Sequence, residues 1–353
     1  MTKFEFDPEA KIPEDQWLVE QFIPLGHLIP MLALSGVGKS FLAEALAVSV
    51  AYGKPFLGAE IFEGDVLIID QDTPEPTLKR RLAAMAKAMG CEKKHRLDVL
   101  SMENLSLKDT LIRAILQYPT AAFILIDSLN SVTGGLDRNN TNDMSVISRL
   151  KMACLRPNRT VMVTHHISQH AEVTLEDLMT GEPDGLAMGS SVLLQQADTY
   201  YILGAPAARS GKMETLYVRP IAKRQAIEYG PIILNFHDDD TGMRFEFQGD
   251  YVVTENECQE DILLLFRHDS KERTVREVYN DMREKWGIIK VRDELRELAH
   301  QGKLLERREK NNAFIYRLPD KASVKDFLHH FTGESKDNNE NKAKRGTPPT
   351  ESA

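Results

Sequence analysis

The sequence predicts an α/β fold: one large domain built on a mostly parallel sheet, followed by a small C-terminal domain of helices and a hairpin. Three observations predict it. From Trp17 to about Phe247, short β-branched apolar runs alternate with longer amphipathic stretches, the pattern of parallel strands joined by helices. The segment Ala33-Leu34-Ser35-Gly36-Val37-Gly38-Lys39-Ser40 closes one apolar run and opens a helix, the position a phosphate-cradling loop requires. After Asp250 the alternation gives way to three helical stretches and a hairpin pattern.

In order along the chain, residues 1–16 are polar and proline-containing and form a lead-in to the domain at 17–250. Strands are expected at Met31 to Leu34, Asp65 to Ile69, Ala122 to Ile126, Thr160 to Thr164, Thr199 to Leu203, Glu214 to Pro220 and Pro231 to Phe236. Helices are expected near Ser40 to Ala51, Glu75 to Met89, Lys108 to Tyr118 and Asn142 to Cys154. Several of the strands are apolar throughout, which implies a sheet buried on both faces. In the second domain, residues 255–318, the helices are Glu257 to Arg267, Val275 to Trp286 with Thr274 as N-cap, and Val291 to His300. A hairpin-like pair, Lys303 to Arg308 and Ala313 to Leu318, follows, which is the order of a winged helix-turn-helix. Residues 335–353 are polar with little to bury and are expected to be disordered.

A chain of 353 residues suits about two domains, and no apolar run approaches the ~20 residues of a membrane helix. The first residues lack the apolar stretch of a secretion signal, so a cytoplasmic protein is expected. Cys91, Cys154 and Cys258 have no metal-ligand or disulfide-framework spacing. The net charge of -9 lies entirely in residues 1–254, because acids and bases balance at 14 each in 255–318 and at 6 each in 319–353. Bulk positive charge is therefore not what would hold nucleic acid to the large domain.

The phosphate loop carries the most specific chemistry. Gly36 and Gly38 let the backbone curl its N–H groups inward, Lys39 supplies a point charge for the terminal phosphates, and the Ser40 hydroxyl is a ligand for Mg2+. The expected ATP-binding set is Ser35, Gly36, Val37, Gly38, Lys39, Ser40 and Phe41, with the helix N-terminus adding its dipole. Phe123-Ile124-Leu125-Ile126-Asp127 delivers a carboxylate at a strand's C-terminal end, and Asp127 is the expected partner of Ser40 on the Mg2+ side. The second strand ends in Asp70-Gln71-Asp72, where Asp72, then Asp70, is the candidate for orienting the attacking water. Thr164-His165-His166 ends a further apolar strand, and either histidine, His165 first, is placed to sense the terminal phosphate.

Taken together, these residues resemble the RecA-like hexameric ATPases, most closely the plasmid- and phage-encoded replicative helicases of the RepA type. The resemblance covers about Trp17 to Phe247. It rests on Trp17-Leu18-Val19, Leu25-Gly26, Gly53-Lys54-Pro55-Phe56-Leu57-Gly58, Asp70-Gln71-Asp72 with Arg80-Arg81-Leu82, and His165-His166. It continues through Gly189-Ser190-Ser191, Ala197-Asp198 and Lys223-Arg224 before Gly230-Pro231. It implies ATP hydrolysis with Mg2+ in a homo-oligomeric ring, expected to be a hexamer, with Lys223 and Arg224 reaching the neighbour's phosphate in trans. It further implies single-stranded DNA in the ring and duplex DNA on the winged helix. Two departures stand out: Asp72 occupies the place of the usual Glu, and no Lys or Arg occurs between Arg159 and Arg209. The second keeps open an ATP-switched DNA-binding regulator or loader that does not unwind.

Overall fold

The computed structural model describes residues 16–92, 96–101, 108–133, 141–154, 159–167, 174–180, 191–205, 214–222, 230–251, 256–269, 271–308 and 313–319. Residues 1–15 of the lead-in and the C-terminal tail lie outside them. A short antiparallel pair, β1 (Trp17–Val19) and β2 (Ile23–Pro24), precedes the main sheet. That sheet then collects β3 (Leu28–Ala33), β4 (Asp65–Asp70), β5 (Leu97–Ser101), β6 (Ala121–Asp127), β7 (Thr160–His166), β8 (Thr199–Gly204), β9 (Thr215–Ala222), β10 (Ile232–Asp239) and β11 (Gly242–Asp250). Helices α1 (Lys39–Tyr52), α2 (Glu75–Ala88), α3 (Lys108–Gln117), α4 (Leu129–Thr133), α5 (Thr141–Cys154), α6 (Leu175–Thr180) and α7 (Ser191–Gln196) connect them.

The strand order is β11-β10-β9-β8-β3-β7-β6-β4-β5. Pairings from β5 through β4, β6, β7 and β3 to β8 are parallel, and β8 through β11 are antiparallel. The P-loop strand β3 is therefore central, flanked by β7 and β8, and all six of its residues are buried. Strand β6 is buried along its whole length too, as its Ala-Ala-Phe-Ile-Leu-Ile sequence requires.

Side-chain alternation splits the parallel sheet into two faces. Met31, Val66, Ile68, Phe123, Leu125 and Met162 join the core under α1, whereas Leu67, Ile69, Ile124, Ile126, Val161 and Val163 join the core under α3 and α5. This parity decides which strand-end side chains reach the loop before α1.

Two strands of the main sheet, β5 and β11, were not anticipated. Strand β5 is a five-residue edge strand whose residues are only partly buried, so its pattern is weak. Strand β11 returns from β10 through a turn in which Asp239 Oδ1 accepts the Thr241 N–H at 2.8 Å. Helix α2 packs on β11, and Lys87 donates to the Asp240 carbonyl at 2.6 Å.

The C-terminal unit contains α8 (Glu257–Asp269), β12 (Arg273–Thr274), α9 (Val275–Met282), α10 (Ile288–His300), β13 (Leu305–Arg308) and β14 (Phe314–Arg317). Its own core gathers Ile262, Phe266, Val278, Val291, Leu295, Leu298 and Tyr316. Thr274 caps α9 in a capping box with Glu277. Against expectation α9 stops at Met282, and α10 begins three residues early, at Ile288, behind Gly287. The unit is tied to the sheet by Asn235, which donates to the Arg267 carbonyl at 3.0 Å, and by Arg267, which donates to the Asp250 carbonyl at 3.3 Å.

Gly242 starts β11 at φ +119°, and a Cβ there would lie 2.2 Å from the Ala84 carbonyl oxygen of α2. Gly242→Ala is expected to destabilise the protein by roughly 1–3 kcal/mol, because both the backbone angle and the helix contact must give. Urea unfolding of wild type and variant measures this.

Candidate active site

The loop that follows β3 needs left-handed backbone at two points, and glycine occupies both: Gly36 at φ +79° and Gly38 at φ +103°. Gly38 is the N-cap of α1, so the next residue, Lys39, begins the helix at its positive end. Ser35, Gly36, Gly38, Lys39, Ser40 and Phe41 line a cavity of about 910 Å³, while Val37 packs against the core.

The Lys39 ammonium folds back onto the strand end. It donates to the Leu34 carbonyl at 3.2 Å and the Ala33 carbonyl at 3.5 Å, and lies 3.4 Å from His166 Nδ1. Burial lowers its pKa to about 8, against the opposing pull of Asp127.

Asp127 and Asp70 are register partners at the ends of β6 and β4. Both fall on the α1 face by strand parity, as does Thr164, which donates its hydroxyl to Asp127 Oδ1. Of the two acids, Asp70 at the end of β4 and Asp72 just after it, Asp72 reaches the cavity and Asp70 lies beneath it. Asp70 Oδ1 accepts the N–H groups of Asp72 and Thr73, each at 2.8 Å, and so shapes the turn that presents Asp72. Asp72 is held in turn by hydroxyls: Ser131 Oγ donates to its Oδ2 at 2.7 Å and Ser128 Oγ at 3.0 Å.

The histidines part company. His166 lines the cavity beside Lys39, and burial followed by the Lys39 charge lowers its pKa. His165, expected to be the sensor, points to the other face of the sheet. It is one residue out of phase with Met162 and Thr164, and burial drives its pKa down to about 4. Lys223 and Arg224 lie outside the described residues, just beyond the end of β9.

Several residues of the site were not read from the sequence. Glu44, on α1 one turn after Ser40, is buried and pairs with Arg81 of α2 at 2.9 Å. Burial pushes the Glu44 carboxyl up to about 7 despite that arginine. Arg81 also sits 4.4 Å above the Phe41 ring, which meets Phe236 edge-on with ring centres 5.4 Å apart. Phe236, His237, Asp238 and Asp239 of β10, with Glu214, close the far side of the cavity. A lone Glu spaced i, i+4 from Ser40 on a largely apolar helix was the available signal for Glu44. For β10 there was none, since its contact with the loop is formed only when the sheet folds.

A phosphate loop on a central strand, acids on two neighbouring strands and a polar strand end beside the lysine together form a nucleotide-binding site of the phosphate-loop type. Residues 2–172 match the family model described as an AAA domain, and that span includes the loop, Asp72, Asp127 and His166. Among solved structures, a KaiC-like protein from the archaeon Pyrococcus horikoshii is 17% identical, with 65% of this chain and 93% of that chain covered at a TM-score of 0.44. The RadB recombinase is 14% identical, with 62% and 90% covered at a TM-score of 0.44. No curated relative matches the chain. Among the described residues, no helix is long and apolar enough to cross a membrane.

The lysine has a pH consequence. A lysine binds phosphate as the charged ammonium, and burial lowers the pKa of Lys39 to about 8. Nucleotide affinity is expected to be flat from about pH 6.5 to 7.5 and to weaken by up to about tenfold per unit above pH 8. Calorimetric titration with a non-hydrolysable ATP analogue across that range checks the sign.

Proposed function

We propose that the chain hydrolyses ATP and acts as a ring-forming motor on DNA, a helicase or helicase-like replication protein. The observation that carries the hydrolytic part is the meeting of Lys39, Asp72, Asp127 and His166 on one cavity wall. Ser35 to Ser40 and the α1 N-terminus would hold the triphosphate, and the aromatic end at Phe41 and Phe236 would take the base. Ser40 and Asp127 are the residues that fit Mg2+, an ion that binds phosphate oxygens and offsets their charge. Asp72, anchored by Ser128 and Ser131, would accept a hydrogen bond from the attacking water and fix its direction. Lys39 would leave the Leu34 carbonyl for the terminal phosphates, releasing His166 to bond the same group.

Charge developing on the transferred group needs a further cation, which Lys223 and Arg224 of a neighbouring subunit would supply in the proposed ring. The C-terminal unit supports a winged-helix reading. Arg292 and Arg296 stand on exposed positions of α10, and Arg307 and Arg308 on the exposed β13. Acids are interleaved with them, as in the Arg292–Asp293 and Arg307–Glu272 pairs at 3.1 Å.

The second reading, an ATP-switched regulator or loader, is favoured by the 49 residues between Arg159 and Arg209, which contain no Lys or Arg. A groove that tracks a single strand ordinarily relies on such charge.

Lys39→Ala is expected to lower ATP turnover about 100-fold or more; turnover near wild type would remove the phosphate-loop assignment. ATPase rate measured with and without single-stranded DNA, beside the oligomeric mass, separates the readings: stimulation in a hexamer supports the motor, and a hexamer without stimulation supports the regulator. Mixing inactive Arg224→Ala and Asp127→Ala subunits is expected to restore part of the activity through mixed interfaces. No recovery would argue for a self-contained site.

A further inference from the structure

Glu44, Asp70 and Asp127 bury their carboxylates under the phosphate loop, at 1%, 1% and 4% exposure. One oxygen of each lies within 4.8 Å of an oxygen of the other two. They arrive from three elements, α1, β4 and β6, so their convergence belongs to the fold rather than to one acidic run. Compensation for them is partial. Arg81 holds Glu44 Oε1, the turn amides hold Asp70 Oδ1, and Thr164 holds Asp127 Oδ1. Among the described residues, Glu44 Oε2 and Asp70 Oδ2 are buried with no hydrogen-bond partner at all.

A buried carboxylate oxygen without a partner is costly, and three like charges at this spacing repel through a medium of low dielectric. A hard dication answers both needs. Ligand oxygens stand about 2.1 Å from Mg2+ and about 2.3–2.6 Å from Ca2+, so those on opposite sides of an ion are roughly 4–5 Å apart. An all-carboxylate set, without nitrogen or sulfur, suits Mg2+, Mn2+ or Ca2+ rather than Zn2+.

We infer that Glu44, Asp70 and Asp127 bind a divalent cation of their own in the nucleotide-free protein, separate from the ion that accompanies the triphosphate at Ser40. Asp127 borders both sites, one on the phosphate side and one a helical turn deeper along α1. The deeper ion joins the end of β4 to the end of β6 and to α1, and Asp70 carries that constraint into the turn that presents Asp72. The site does not depend on nucleotide hydrolysis.

The test uses the full chain, stripped of metal and nucleotide and titrated with Mn2+ while the free ion is followed by electron paramagnetic resonance. One saturable site is expected. Glu44→Gln and Asp70→Asn, with folding checked by circular dichroism, are expected to weaken it at least tenfold, and Ser40→Ala to leave it unchanged. Addition of a non-hydrolysable ATP analogue to wild type should raise the count to two, with phosphorus coupling seen for one ion only. This last measurement decides even where the variants fail to fold. Absence of saturable binding without nucleotide overturns the inference, as does loss in Ser40→Ala but not in Glu44→Gln, or a count that stays at one with phosphorus coupling. A site that survives while the analogue fails to bind would sink the ATPase reading and leave the cation site standing.

Discussion

The parallel alignment of β3, β7, β6 and β4 is the constraint on which the rest of the structure depends. In a parallel sheet every strand ends on the same edge, so the phosphate loop after β3, Asp70 and Asp127 at the ends of β4 and β6, and His166 at the end of β7 are delivered to one place. Parallel pairing demands crossover helices on both faces, and those helices bury the strands completely. The apolar strands and the polar site are thus two consequences of one arrangement: the strands are dry because helices cover them, and the site is wet only at the edge where coverage stops.

At that edge the protein confines more negative charge than it neutralises. Lys39 and Arg81 face Glu44, Asp70, Asp72 and Asp127. The two cations are used differently. Lys39 is parked on carbonyls and a histidine ring, from which a phosphate can draw it. Arg81 is committed to Glu44 and stacked on Phe41, which ties α2 to α1 along the wall of the cavity. Asp72 escapes burial because Asp70 takes the buried position two residues earlier. The hydroxyls of Ser128 and Ser131 restrain it without neutralising it.

Much of this was legible from local pattern. Gly36, Gly38, Lys39 and Ser40 stand out because the loop's chemistry is contained in consecutive residues. Asp127 is legible because a fully apolar strand that ends in an acid places that acid at the ligand-binding edge of a parallel sheet. The choice between His165 and His166 was available in principle: counting back from either by twos shows that Thr164 and His166 share a face. What was missing was which face α1 would cover, and that follows from the hand of the β3–α1 crossover and not from the strand itself. Strand β11 was missed because its residues are half-buried and its packing partner, α2, lies far away in the chain, joined by the Lys87–Asp240 contact.

The order of strands and helices, the phosphate loop and the acids at the strand ends are properties of short stretches, set by alternation, glycine placement and the residue types at segment ends. The fold alone brought Glu44 against Asp70 and Asp127, set Arg81 between Glu44 and Phe41, and laid Phe236 across from the loop. Each of those contacts joins elements far apart in the chain, so no local periodicity encodes it. It exists because a fixed strand register and a helix of fixed rotation meet in the folded protein.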